Sequence, residues 1–267
     1  MKTIYYLSGL PRAGNTLLSS ILNQNPKINT TGYSYLNGLI ASCTTFYKKS
    51  STAENFPDQK SFDNAMSSMI QSYYKDWSGD IIIQRSQSGL FNELEVINKY
   101  LNQDFKCIVL VRDIYDVIAS YVKLWKENPD FFLNKDSHSF STDESKIKYL
   151  MDRSSIIKAG LECIYNLYYG WYDKCLFIQY NDLVNNTEKE IKKIYNFLGI
   201  EPFEHFYKNI EQFSSNNLKY DDTIYGKNLH EIRVDKIQIK DNSYYKNFIP
   251  EDVIQKLKYE SNWLNGI

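Results

Sequence analysis

Hydrophobic residues along this chain form two patterns, short continuous runs and longer periodic stretches. Strand-length apolar runs occur at Thr3–Ser8, Ile81–Gln84, Cys107–Val111 and Leu176–Gln179. They do not alternate with polar residues, which is typical of strands covered on both faces of a parallel sheet. Helical spacing between them predicts helices at Thr16–Leu22, Leu36–Lys49, Phe62–Tyr74, Leu90–Leu101, Ile114–Trp125 and Glu144–Tyr172. Strands alternating with helices predict an α/β fold, a three-layer, doubly wound and mostly parallel sheet.

The C-terminal part of the chain is less regular. Thr187 and Glu190 have the spacing of a capping box at the start of a helix that ends before Gly199. The polar segment Asn128–Asp143 predicts a loop or lid, and a final helix is expected near Pro250–Trp263. Because no repeat or linker divides the chain, we expect one domain over residues 1–267, with the irregular segment 199–267 packing over the ligand site.

Composition narrows the classes of protein to consider. The chain has 267 residues, 43% of them hydrophobic and 24% charged, as expected of a soluble globular protein. A net charge of -1 argues against a nucleic-acid partner. The four cysteines form no CxxC pair, which suits a reducing compartment and predicts no metal site. No run is long enough to span a membrane, and the N-terminus lacks the features of a signal peptide, so a cytoplasmic location is expected.

The first strand leads into a glycine-containing loop, Gly9-Leu-Pro-Arg-Ala-Gly-Asn-Thr16, that opens a helix. This is the spacing of a P-loop, in which backbone N–H groups and the positive end of the helix bind a phosphate group. A nucleotide triphosphatase has lysine immediately before the Ser/Thr, whereas this chain has Asn15 there and a cation at Arg12. The loop therefore predicts phosphate binding without nucleotide hydrolysis.

Arginine is scarce, which makes its positions informative. Only five of the 31 basic residues are arginines, and a guanidinium suits bidentate contact with phosphate. Arg112 ends the strand Cys107–Val111, at the sheet edge where ligands bind in open α/β folds. Ser120 lies about two turns into the next helix, so the two side chains are able to grip one phosphate. An ion pair of Arg112 with Asp113 or Asp116 is an equally good interpretation of that arginine alone.

Taken together, these motifs resemble the family of sulfotransferases that use 3'-phosphoadenosine-5'-phosphosulfate (PAPS). The resemblance is carried by Gly-Leu-Pro-Arg-Ala-Gly-Asn-Thr-Leu-Leu, by Arg-Asp-Ile-Tyr-Asp-Val-Ile-Ala-Ser and by Phe-Ile-Gln-Tyr-Asn-Asp-Leu, and it covers most of residues 4–200. It implies sulfonate transfer from PAPS to a hydroxyl or amine, with release of PAP and no metal. The acceptor, a small molecule or a glycan or peptide, has no motif in the sequence, and a homodimer is left open.

The resemblance also implies roles for individual residues. It implies that the 5'-phosphosulfate is held by Arg12, Ala13, Gly14, Asn15 and Thr16, and the 3'-phosphate by Arg112 and Ser120. It implies that Tyr180 contacts the adenine and that Arg85 approaches the transferred sulfonate. Lys227 and Arg233 would belong to a loop that covers the cofactor.

The general base is the least defined element of this expected site. The regions where many relatives carry a histidine or glutamate here contain Ser86 and Thr31–Tyr33. His230 is the best candidate because histidine titrates near neutrality, and Glu93 is the other candidate. Two alternatives remain: a P-loop small-molecule kinase with Asp113 as a magnesium ligand, and a catalytically silent nucleotide-binding protein.

Overall fold

The computed structural model describes most of the chain. The described residues are 2–32, 34–86, 97–101, 103–135, 139–152, 155–212, 214–218, 221, 223, 226, 230, 237–239 and 241–267.

The core of the fold is a five-stranded sheet. Its strands are β1 (Thr3–Gly9), β2 (Ile28–Thr30), β3 (Ile81–Arg85), β4 (Cys107–Val111) and β5 (Cys175–Gln179), in the order β2-β3-β1-β4-β5. All four pairings are parallel. The carboxyl ends of all five strands therefore lie at the same end of the sheet, which brings Gly9, Arg85 and Arg112 to the same side of the molecule. The predicted α/β fold with a mostly parallel sheet is confirmed.

Helices cover both faces of this sheet. In chain order they are α1 (Asn15–Leu22), α2 (Leu36–Lys49), α3 (Ser51–Asn55), α4 (Gln59–Tyr73), α5 (Ile114–Glu127), α6 (Phe132–Lys135), α7 (Asp143–Leu150), α8 (Ile156–Gly170), α9 (Tyr180–Asn185), α10 (Thr187–Leu198), α11 (Ser243–Lys246) and α12 (Glu251–Ser261). Short 3-10 turns occupy Tyr172–Lys174 and Asn262–Gly266. Of the predicted helix Leu90–Leu101, residues 97–100 are helical, and residues 87–96, including Glu93, lie outside the described residues.

The structure differs from the sequence-based expectation at two helix boundaries. The predicted helix Glu144–Tyr172 is two helices, because Ser155 accepts a hydrogen bond from the Lys158 N–H and so caps a new helix. The capping box at Thr187 is wrong: the Thr187 hydroxyl donates to the carbonyl of Leu183 at 2.8 Å, in the preceding helix.

Two further segments were misjudged from the sequence. Strand β2 was not predicted, because Ile28–Thr30 contains a single aliphatic residue. Within Asn128–Asp143, expected to be a loop or lid, the helix Phe132–Lys135 forms and both Phe131 and Leu133 are fully buried. This segment is therefore anchored in the core over part of its length.

Among the described residues, no helix has both the length and the apolar character needed to cross a bilayer.

Candidate functional site

The loop after β1 is fixed to the neighbouring strand at its first residue. Gly9 has a φ of 132°, and a Cβ at this position would lie 2.1 Å from the carbonyl oxygen of Leu110 in β4. The next residue, Leu10, donates its N–H to the same carbonyl at 3.1 Å. Only glycine permits this approach, so the loop leaves the sheet edge in a defined direction.

The middle of the loop contains a strained backbone. Arg12 has a φ of 63°, in the left-handed region that a non-glycine residue adopts at a cost of about 1–2 kcal/mol. Its carbonyl oxygen accepts a hydrogen bond from Arg112 Nη1 at 2.7 Å, which offsets part of that cost. The buried arginine of β4 therefore holds the loop in shape.

The end of the loop leaves the start of α1 open. Gly14 precedes the helix with a φ of 92°, and no side chain caps the free N–H groups of the first turn. Asn15 donates its Nδ2 to the carbonyl of Leu10 at 2.9 Å, so this side chain braces the loop. Ala13 is buried and Thr16 is half-buried beside it. Uncapped N–H groups at the positive end of a helix, without acidic residues in the first turn, fit a phosphate group.

Arg112 is a buried cation that lacks a carboxylate partner among the described residues. Only 5% of it is exposed, its guanidinium carbon lies 4.1 Å from the ring centre of Tyr180, and its Nε has no hydrogen-bond partner. Burial lowers the pKa of its guanidinium below the usual value. A desolvated cation with a free donor is suited to bind an anion.

The two acidic neighbours of Arg112 are engaged elsewhere. Asp113 Oδ1 accepts the N–H of Asp116 at 2.9 Å and so caps α5. Asp116 Oδ1 forms an ion pair with Lys246 at 2.5 Å. The interpretation of Arg112 as a structural ion pair with either residue is therefore not supported.

Ser120 lies in α5, the helix predicted to carry it, but its side chain contacts the loop rather than Arg112. Its Oγ accepts a hydrogen bond from Arg12 Nε at 3.3 Å. The side chain of Arg12 thus reaches α5, and its carbonyl reaches Arg112. The structure brings Arg12, Arg112 and Ser120 together, with Arg12 between the two residues that were expected to share one phosphate.

Tyr121 is a residue of this site that the sequence analysis missed. Burial raises the pKa of its hydroxyl to about 12, while the charges of Arg12 and Arg85 act to lower it. Both guanidinium groups therefore lie within electrostatic range of one phenol. A tyrosine beside a predicted phosphate-binding serine was the available signal, but 23 tyrosines in the chain made it uninformative.

Tyr180 connects the loop to the far end of the sheet edge. Its ring would lie 3.2 Å from a Cβ at Gly14, and the Arg112 guanidinium lies 4.1 Å from the centre of the same ring. Tyr180 and Arg112 also line a cavity of about 580 Å³ between the ends of β4 and β5 and helix α12, which contributes Lys258 and Ser261. This cavity adjoins the loop through the two shared residues.

The remaining predicted site residues are less well defined. Lys227 and Arg233 lie outside the described residues. His230 is described and half-buried, and its role as a base stays a prediction. Nearby Gly226 lies against Asn128–Phe131, where an added Cβ would be 2.8 Å from the Cα of Phe131.

A model of the Sulfotransferase family matches residues 6–205. A protein of Caenorhabditis briggsae described as a candidate protein-tyrosine sulfotransferase is 22% identical over 201 residues, which are 74% of this chain and 66% of that protein. This chain thus spans just under two thirds of that relative.

Two solved structures of sulfotransferases have a similar fold. The sulfotransferase domain from the curacin biosynthetic pathway has a TM-score of 0.55 at 16% identity, over 99% of this chain and 98% of that domain. A mouse sulfotransferase complexed with PAP has a TM-score of 0.54 at 14% identity, over 97% of this chain and 82% of that one. At these identities the likeness concerns the fold.

Proposed function

Because this chain belongs to the Sulfotransferase family, whose model matches residues 6–205, we propose that it transfers a sulfonate group from PAPS to a hydroxyl or amine of an acceptor. The family and fold expected from the sequence motifs are confirmed. The observation that carries the choice of PAPS is Arg112, a buried cation with a free Nε and no carboxylate partner among the described residues. A 3'-phosphate supplies the anion that this position needs, and PAPS differs from ordinary nucleotides in carrying one.

The loop and Arg112 have separate tasks in this proposal. The uncapped start of α1 at Gly14–Thr16 holds the 5'-phosphate end of the donor. Arg112 and Ser120 hold the 3'-phosphate, after Arg12 has exchanged its contact with Ser120 for one with the donor. The cavity lined by Arg112, Tyr180 and Lys258 is large enough for the nucleoside.

In the reaction, an acceptor oxygen or nitrogen attacks the sulfur in line with the bridging oxygen, whose bond to sulfur breaks as PAP leaves. Negative charge develops on the bridging oxygen, and Arg12 and Arg85 stabilise it from positions near the Tyr121 hydroxyl. The proton of the acceptor passes to a base, for which His230 is our candidate.

Calorimetric titration with PAP and with 5'-AMP tests the donor assignment. We expect PAP to bind at least about tenfold more tightly, since only PAP carries the phosphate that Arg112 would bind. Equal affinities would refute a site for the 3'-phosphate.

Two assays separate the alternatives to this function. Magnesium-dependent turnover of ATP would support the kinase, although Asn15 stands in place of the lysine that such an enzyme uses on the terminal phosphates. Incubation with radiolabelled PAPS and a broad acceptor panel tests the silent protein. PAP binding without any labelled product would favour that alternative.

A further inference from the structure

Ser86 lies at the edge of the sheet beside the phosphate-binding loop. It directly follows β3, and its N–H donates to the carbonyl of Leu7 in β1 at 2.9 Å, which extends the pairing of the two strands by one residue. Two residues after Leu7, the loop begins at Gly9. Ser86 is therefore next to the loop in space and next to Arg85 in sequence.

A chain of hydrogen bonds runs from the start of α2 to Ser86. Its members are two buried amides, a buried tyrosine and two serines. The contacts are Leu36 N to Ser34 Oγ at 3.2 Å, Ser34 Oγ to Tyr74 Oη at 2.7 Å, Tyr74 Oη to Gln84 Oε1 at 2.8 Å, Gln84 Nε2 to Asn37 Oδ1 at 2.6 Å and Asn37 Nδ2 to Ser86 Oγ at 3.1 Å.

The hydrogen bonds of this series all run in one direction, from donor to acceptor toward Ser86. It begins at a backbone N–H, which is only a donor. Tyr74 gives its single proton to Gln84, so Ser34 is the donor to Tyr74. Each amide then accepts on its oxygen and donates from its nitrogen. The hydroxyl protons of Ser34 and Tyr74 and one N–H of each amide are thus used within the series, and the Ser86 hydroxyl proton is left to point elsewhere.

The Ser86 hydroxyl is free to use that proton on a ligand. Ser86 is half-buried, and Asn37 is its side-chain hydrogen-bond partner among the described residues. Because Ser86 already accepts from Asn37, donors along the chain polarise its O–H and make it a better donor. The same arrangement makes it poorly suited to remove a proton from an acceptor.

We propose that the Ser86 hydroxyl donates a hydrogen bond to an oxygen of the transferred sulfonate. This assignment rests on the proposed function, in which the loop beside Ser86 holds the 5'-phosphate to which the sulfonate is attached. A sulfonate has three oxygens that accept hydrogen bonds. Arg85 directly precedes Ser86 at the end of β3, and its charge and that of Arg12 in the loop both act on the Tyr121 hydroxyl. Asn37, Gln84 and Tyr74 are positioning residues for this donor.

The test compares the affinities for PAPS and for PAP in the absence of an acceptor, because PAP lacks the sulfonate. We expect Ser86→Ala to weaken PAPS binding about tenfold and to leave PAP binding unchanged. Ser86→Thr, which keeps the hydroxyl, should bind PAPS like the wild type. Ser78→Ala is the matched control, since Ser78 also accepts from an asparagine Nδ2, that of Asn29 at 2.8 Å, at the other end of the sheet.

A second variant tests the chain itself. Tyr74→Phe removes the link between Ser34 and Gln84 and should produce a smaller loss that is again specific to PAPS. The proposal is overturned if Ser86→Ala binds PAPS as the wild type does, or if PAPS and PAP weaken equally. Failure of the wild type to bind PAP would instead refute the proposed function, and this inference with it.

Discussion

Replacement of Arg112 should weaken binding of PAP while leaving the stability of the free protein nearly unchanged. Replacement of one member of a buried ion pair would instead lower stability. Arg112→Met removes a cation that donates to the Arg12 carbonyl at 2.7 Å and stacks on Tyr180 at 4.1 Å. If this cation binds the 3'-phosphate, its loss costs about 3 kcal/mol of binding free energy, or roughly a hundredfold in the Kd for PAP.

The same substitution should have little effect on the free protein. The hydrogen bond to a charged donor contributes about 1.5–3 kcal/mol and the stacking contact up to about 2 kcal/mol. Relief of an unpaired buried charge offsets these losses by several kcal/mol. The two sides nearly cancel, so we expect the Tm without ligand to change by about 4 °C or less.

Calorimetry with PAP and 5'-AMP, together with thermal unfolding, measures both quantities. Arg112→Lys keeps the charge but loses the planar fork, and it should bind PAP with intermediate affinity. In Arg112→Met, PAP and 5'-AMP should bind alike. Unchanged preference for PAP would refute the role of Arg112. A loss of stability of about 3–5 kcal/mol, as found when one member of a buried ion pair is removed, would refute the description of its environment.

Three further predictions concern packing, protonation and the cavity. Gly9→Ala puts a Cβ 2.1 Å from the Leu110 carbonyl oxygen and should lower the free energy of unfolding, measured in urea, by roughly 3 kcal/mol or more. Gly38→Ala, which has open space around it inside α2, should raise the free energy of unfolding by about 0.5–1 kcal/mol. Equal effects of the two variants would contradict the close approach at Gly9. Burial lowers the pKa of His205, so its contribution to stability is complete above the pKa of the unfolded state and is lost as the pH falls below that value. The Tm of the wild type should therefore fall more steeply between about pH 7 and about pH 5 than the Tm of His205→Asn. Parallel curves of Tm against pH would show that His205 does not titrate in this way. Lys258→Ala should weaken PAP binding about threefold to tenfold, because Lys258 lines the cavity. Lys256→Ala, on the same helix but outside the cavity lining, should leave PAP binding unchanged. Identical affinities of the two variants for PAP would exclude Lys258 from the nucleotide site.

Two structural features at the candidate site follow from local sequence. The loop between β1 and α1 follows from glycine spacing between an apolar run and an amphipathic helix, and Arg112 follows from the end of a continuous apolar strand. Both patterns lie within about ten residues, where the period of the hydrophobic residues and the freedom of glycine decide the structure.

The contacts between distant segments were not predicted. Asn37 and Ser86 are 49 residues apart and meet because the start of α2 lies beside the end of β3, where Asn37 also bonds Gln84. Tyr121 of α5 lies within electrostatic range of Arg12, in the loop after β1, and of Arg85, at the end of β3, and neither residue is near it in sequence. Thr187 has the sequence spacing of a helix cap, yet its hydroxyl donates to the carbonyl of Leu183 in the preceding helix. The short connection between α9 and α10 allows this hydrogen bond.

A crystal structure of the protein with PAP would show whether the loop and Arg112 hold the two phosphate groups. We expect the 5'-phosphate on the N–H groups of Gly14–Thr16 and the 3'-phosphate on Arg112, with Arg12 moved off Ser120. PAP bound away from the loop, or bound there with its 3'-phosphate in solvent and Arg112 still without an anion, would contradict it.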